Sequence, residues 1–158
     1  MNIFAAVEEF ARFDMVTYYT VRSEEAVLSE TENFLERMRR ESAYIDQLED
    51  LMLWLEIIGN KRGAIFDLFR SERFCVALPP KGKYLDKAID LRIYCHWVSK
   101  NVIILFNGGI KTTKLAQDCP NVSHHFYNAQ SWTKQLIDIG IETDGPEIIN
   151  LEELYIKY

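Results

Sequence analysis

Apolar side chains recur along this chain with a spacing that changes several times, and each change of period predicts an element. Phe4, Val7 and Phe10 come at intervals of three, which predicts a short helix within residues 1–11. Residues 14–22, DMVTYYTVR, are dense in β-branched and aromatic side chains and predict a strand. Ser29 stands three residues before Glu32, the spacing of a capping box, so a helix begins there with Phe34, Leu35 and Met38 on its buried stripe. A second helix, from about residue 43 to 58, gathers Ile45, Leu48, Leu51, Met52 and Leu55 on one broad face, and Gly59 stands where a left-handed residue can end it. A short turn joins the two helices into a hairpin.

Beyond residue 64 the helical period is lost. Residues 74–78, FCVAL, predict a strand closed by Pro79 and Pro80, because two missing amide donors end a ladder. A loop over 81–90 leads into a hairpin in which residues 91–98 alternate, Ser99, Lys100 and Asn101 supply the turn, and residues 102–106 form a continuous apolar strand at the centre of a sheet. Asn107, Gly108 and Gly109 predict a bulge or sharp bend before residues 110–113 resume the strand. After Pro120 and Asn121 a third helix runs to about residue 139 with Phe126, Ala129, Trp132 or Thr133, and Leu136 inward, and Gly140 ends it. Residues 145–158 read as a short linker and an acidic, apolar segment whose pattern assigns it to neither helix nor strand.

Composition places these elements in one folded unit. The 158 residues are 48% apolar and include nine Phe, eight Tyr and three Trp, enough to offset the ordering entropy when buried. The expectation is one α+β domain, residues 1–158, with its core within about 13–140 and residues 141–158 as a C-terminal extension. Cys75, Cys95 and Cys119 are scattered, odd in number and without a C-x-x-C pair, which fits a reducing cytoplasm better than a disulfide framework. Glu8 and Glu9 stand where a secretion signal would carry basic residues, and the longest apolar run, residues 102–106, is far too short to span a bilayer. The net charge of −6 disfavours a high-affinity nucleic-acid binder unless cations such as Arg70, Arg73, Lys81, Lys83, Arg92, Lys111 and Lys114 gather on one face.

The order strand, helix, helix, three strands, helix resembles the RelE/ParE toxin superfamily, as does the stretch VIILFNGGIKTTK at 102–114 with the following Pro120 and Ala129. The HigB-like, phage-derived branch is the nearest part of that superfamily, and Leu91, Arg92, Ile93 and Tyr94 resemble its preceding central strand. The resemblance implies a RelE-like fold: an N-terminal strand, a helical hairpin, a curled antiparallel sheet of about four strands and a C-terminal helix. It further implies a type II toxin, neutralised by a cognate antitoxin, that cleaves messenger RNA in the ribosomal A site. In that reaction the RNA's own 2′-hydroxyl attacks the adjacent phosphate, and no metal or other cofactor takes part. Family toxins are usually smaller and basic, and this chain is longer and acidic.

Such a reaction needs cations for the developing charge and a group that moves protons. Arg92 and Lys111 are the candidates for the first role, with Arg73, Tyr94 and Lys114 as substrate-binding neighbours. His96 is the candidate acid or base, because imidazole titrates near neutral pH and strand alternation puts Arg92, Tyr94 and His96 on one face. The plainer readings are solvated surface cations and a hydrogen-bonded sheet histidine. His124 and His125 are sequence neighbours on a helix with no ligand at i+4, so they predict no metal site. No P-loop, nucleophile elbow or dinucleotide fingerprint is present. The acid-rich helices, with Glu24, Glu25, Glu30, Glu32, Glu36, Glu41, Asp46, Glu49 and Asp50, are a solvated face or an attraction for a basic partner. Two functions remain in view: a ribosome-dependent endoribonuclease, and a catalytically inactive toxin-fold protein that binds an antitoxin-like or topoisomerase partner.

Overall fold

Ser29 and Glu32 cap each other. The Ser29 hydroxyl accepts the Glu32 amide at 3.2 Å and the Glu32 carboxylate accepts the Ser29 amide at 3.0 Å, and helix α1 (Glu30–Arg39) follows. Phe34, Leu35 and Met38 are its buried stripe. Helix α2 (Ile45–Ile57) buries Leu48, Leu51 and Leu55. The chain does not end this helix at Gly59. It widens into a π turn over Ile58–Arg62 and reverses at Gly63, where φ is +74°. Gly59 serves contact instead, since a Cβ there would lie 2.5 Å from the Phe13 ring and its carbonyl accepts the Met15 and Val16 amides.

The computed structural model describes residues 2–82 and 88–158, so the middle of the loop expected at 81–90 lies outside the described residues. Nine strands are described in chain order: β1 (Phe4–Arg12), β2 (Thr17–Ser23), β3 (Arg70–Glu72), β4 (Cys75–Leu78), β5 (Leu91–Ser99), β6 (Val102–Ile110), β7 (Thr143–Asp144), β8 (Glu147–Ile148) and β9 (Tyr155–Lys157). Seven of them make one sheet in the order β3-β4-β5-β6-β2-β1-β9, and β7 and β8 form a separate small hairpin. The expected sheet of about four antiparallel strands is therefore too small, and it is mixed, because β2 pairs with β6 in parallel. Helix α3 (Ser123–Ile139) completes the α+β architecture and ends at Gly140.

Two of the differences have one physical source each. The segment expected as a helix at 1–11 is β1, which pairs with β2 on one side and β9 on the other. Strand alternation puts Val7 with Ala5 on one face and Phe10 on the other, and the register with β2 slips by one residue between Glu9 and Ala11. The interval of three that suggested a helix comes from apolar residues on both faces of a strand that is covered on both sides. The segment 141–158, expected outside the core, closes the far edge of the sheet instead: Leu154 and Ile156 have no exposed surface, and the Tyr19 hydroxyl accepts the Ile148 amide at 3.0 Å. The core thus extends beyond 13–140 at both ends.

Helices cover both faces of the sheet. Phe126, Ala129, Trp132 and Leu136 of α3 pack on Tyr19, Tyr94, Ile104 and Phe106, while α1 and α2 pack on Tyr18, Ile93, Cys95 and Leu105. The bulge predicted near Asn107 is present, as Ile93 faces Gly108 while Cys95 faces Leu105, and it leaves one extra residue on β6. Gly108 is obligatory there, since a Cβ would meet the Arg92 carbonyl oxygen at 1.8 Å. Arg37 ties α1 to this bulge by donating to Asn107 Oδ1 (2.6 Å) and the Gly108 carbonyl (2.7 Å), and its guanidinium also lies 3.4 Å from His125 Nε2 of α3. The buried polar atoms of an interrupted strand thereby find partners.

Candidate functional site

Strand β5 alternates as expected. Leu91, Ile93 and Cys95 face the helical hairpin, and Tyr94 between them faces α3 with Arg92 and His96 on the same side. The face that carries these residues is not a hollow. Tyr94 has no exposed surface, its ring meets Phe126 edge-on at 6.0 Å, and its hydroxyl has no hydrogen-bond partner among the described residues. Burial pushes its pKa further above the ordinary tyrosine value. Gln130 of α3 reaches across to accept the Phe74 amide at 2.8 Å and donate to the Glu72 carbonyl at 2.6 Å, which locks the helix over the β3–β4 turn as well.

His96 is mostly buried, and burial alone lowers its pKa to about 4. At neutral pH it is an uncharged imidazole too weakly basic to take a proton from a hydroxyl. It also stands four residues from Arg92, about 13 Å along a strand. The structure thus puts the two on one face without bringing them to one reacting centre.

Arg92 and Lys111 do come together. Gly109 pairs with Arg92 across the ladder, so Lys111, two residues on, extends the same face, and its amide donates to the Asp90 carbonyl at 2.9 Å. Arg70 of β3, one of the cations the sequence offered for a basic face, joins them, as does Glu72, which sequence reasoning left out. Burial raises the Glu72 carboxyl, and Lys111, Arg92, Arg70 and Lys81 oppose that rise. Burial, then repulsion from Arg92, pulls Arg70 down to about 10. Burial likewise lowers Arg92, whose guanidinium donates to the carbonyls of Ile89 and Leu91, the latter at 2.9 Å. Arg70 is tied in the same way to the carbonyls of Pro79 (2.7 Å) and Pro80 (3.2 Å). The two arginines donate to backbone carbonyls, with Glu72 as a nearby opposite charge, while Arg92 Nε is buried with no hydrogen-bond partner among the described residues. The tight turn at Arg73 and Phe74 folds β3 back on β4 with Glu72 opposite Cys75, and strand alternation then sets Glu72 on the same face as Arg70.

Arg73 and Lys114 stand apart. Arg73 occupies the β3–β4 turn with φ +60° and is exposed, and Lys114 is exposed on the loop beyond β6; neither makes a hydrogen bond or ion pair with another described residue.

Cys119 is buried just beneath the 112–113 backbone. Burial raises its thiol, but the Thr112 amide and hydroxyl and the amides of Asn121 and Thr113 together hold it at about 7. Comparison of the chain with protein-family models, curated proteins and solved structures returns no match. Among the described residues, no helix is long and apolar enough to cross a membrane.

Proposed function

We propose that this chain is a RelE/ParE-like protein that works by binding a partner and does not cut RNA. The observation that carries this reading is the seating of α3 on the sheet. Tyr94, a residue a nuclease of this kind would present to RNA, lies beneath Phe126 and its neighbours with no exposed surface. Kinship to the superfamily is supported by the order of the central elements and by the stretch 102–114, and fold kinship alone does not carry activity. Electrostatics agree with a protein partner, because the −6 charge opposes the approach of a phosphate backbone. The expected partner is an antitoxin-like protein, and a small helix-turn-helix protein encoded beside this chain is the first candidate.

One observation favours the rival reading, a ribosome-dependent endoribonuclease. Arg70, Arg92 and Lys111 converge at one end of the sheet, with Glu72 and Asp90 as opposing charges. The two readings separate on induction in a bacterial host with transcript 5′ ends mapped. The binding reading predicts intact transcripts for the wild type and for Arg92→Ala alike. Cleavage within ribosome-bound messages that disappears in Arg92→Ala would replace it with the nuclease.

A further inference from the structure

The side of the helical hairpin turned away from the sheet is not closed. Between α1 and α2 lies a groove of about 550 Å³. Leu35 and Leu48 form its floor, and Phe13, Ile45, Met52 and Leu53 form its walls. Leu53 keeps 53% of its surface exposed on a helix that otherwise buries its leucines. On α2 the lining recurs at 45, 48, 49, 52, 53 and 56, the spacing with which one helix presents a seam to another. Eleven steps of about 1.5 Å give that seam a length of about 17 Å, or three turns.

The rim decides what fits. Glu49 and Glu56 stand on it, both exposed and without an ion pair to any described residue, and Arg39 is the one cation among the described lining residues. A second copy would bring a rim of the same net negative charge, two glutamates to one arginine, against this one, where like charges repel. Segments 4–12 and 155–157 of the same chain are already hydrogen-bonded into the sheet. An anionic bilayer meets the same repulsion as a second copy.

We propose that this groove receives one helix of a protein partner, three turns long, with aliphatic side chains at i, i+3 and i+7 and with lysines or arginines flanking them toward Glu49 and Glu56. The inference rests on the binding reading above and names the surface and the chemistry of its partner.

The test uses the full chain, isotopically labelled, titrated with a synthetic three-turn amphipathic peptide that carries leucines on one face and lysines on its flanks. A second peptide has glutamates in place of the lysines. Amides of residues 45–56 should shift with the lysine peptide, which should bind about fivefold or more tighter than the glutamate one, the scale of a few partly exposed ion pairs. The double variant Glu49→Lys/Glu56→Lys should reverse that preference. The double variant Asp144→Lys/Glu152→Lys makes the same change in net charge at exposed sites elsewhere and should leave it in place. The proposal is overturned by absence of binding, by an unchanged preference in the groove variant, by an equal loss in the control variant, or by self-association through the groove. Transcript cleavage would sink the binding reading without touching this titration, and a failed titration leaves the transcript result as it was.

Discussion

Lowering the pH from 7.5 to 4.5 is expected to cost the folded chain stability through two imidazoles that cannot accept a proton in place. Burial lowers His96 to about 4, and burial, His124 and Arg37 lower His125 to about 3. In the unfolded chain both titrate near 6.5. Below that value the unfolded state binds protons that the folded state refuses, so stability is full above about 7, falls as pH drops through 6.5, and levels off once the folded-state values are reached. At pH 4.5 each group is about two units below its unfolded value and still neutral when folded, which at about 1.4 kcal/mol per unit is about 2 to 3 kcal/mol each. Together that is about 5 kcal/mol, a large share of a typical domain's stability. Urea denaturation at half-unit pH steps reads it, with His96→Gln and His125→Asn each removing about half of the slope. Parallel wild-type and variant curves would show that neither imidazole is held neutral by the fold.

Three other perturbations follow from the packing. Gly108→Ala sets a Cβ against the Arg92 carbonyl and should lower stability by about 3 kcal/mol or more, while Gly82→Ala, with open space around it, should stay within about 0.5 kcal/mol in the same thermal melts. Ile156→Ala should cost about 3 kcal/mol by chemical denaturation, because β9 is part of the core; a change below about 0.5 kcal/mol would make the last residues an appendage. Arg37→Met leaves Asn107 Oδ1 and the Gly108 carbonyl without that donor and should cost about 2 kcal/mol in denaturant, a loss that an unchanged midpoint would deny.

Local chemistry was the legible part of the fold. The Ser29–Glu32 box, the Ser99–Asn101 turn, the inward stripe of α3 and the bulge near Gly108 each depend on residues a few positions apart, and each stands as expected. What the sequence hid is long-range. Apolar residues on both faces of β1 gave it a three-residue spacing that resembles a helix, and β9 has too few residues to show a period before β1 supplies its partner. The parallel pairing of β2 with β6 joins residues about eighty positions apart, which no local pattern records. The candidate site divides in the same way. Strand alternation placed Arg92, Tyr94 and His96 on one face, but whether that face stays open depended on where α3 docks. The contribution of Arg70 and Glu72 depended on a three-residue strand that only the sheet defines.

The claim on which the rest turns is that α3 is a fixed layer of the core and never a lid over Tyr94. Native-state hydrogen exchange measures this directly. The amides from Phe126 to Leu136 should exchange only through global unfolding, with the same free energy and denaturant dependence as the amides of β5. Exchange of α3 through a smaller opening, while β5 and β6 stay protected, would contradict the account, because it would uncover the very face a nuclease needs.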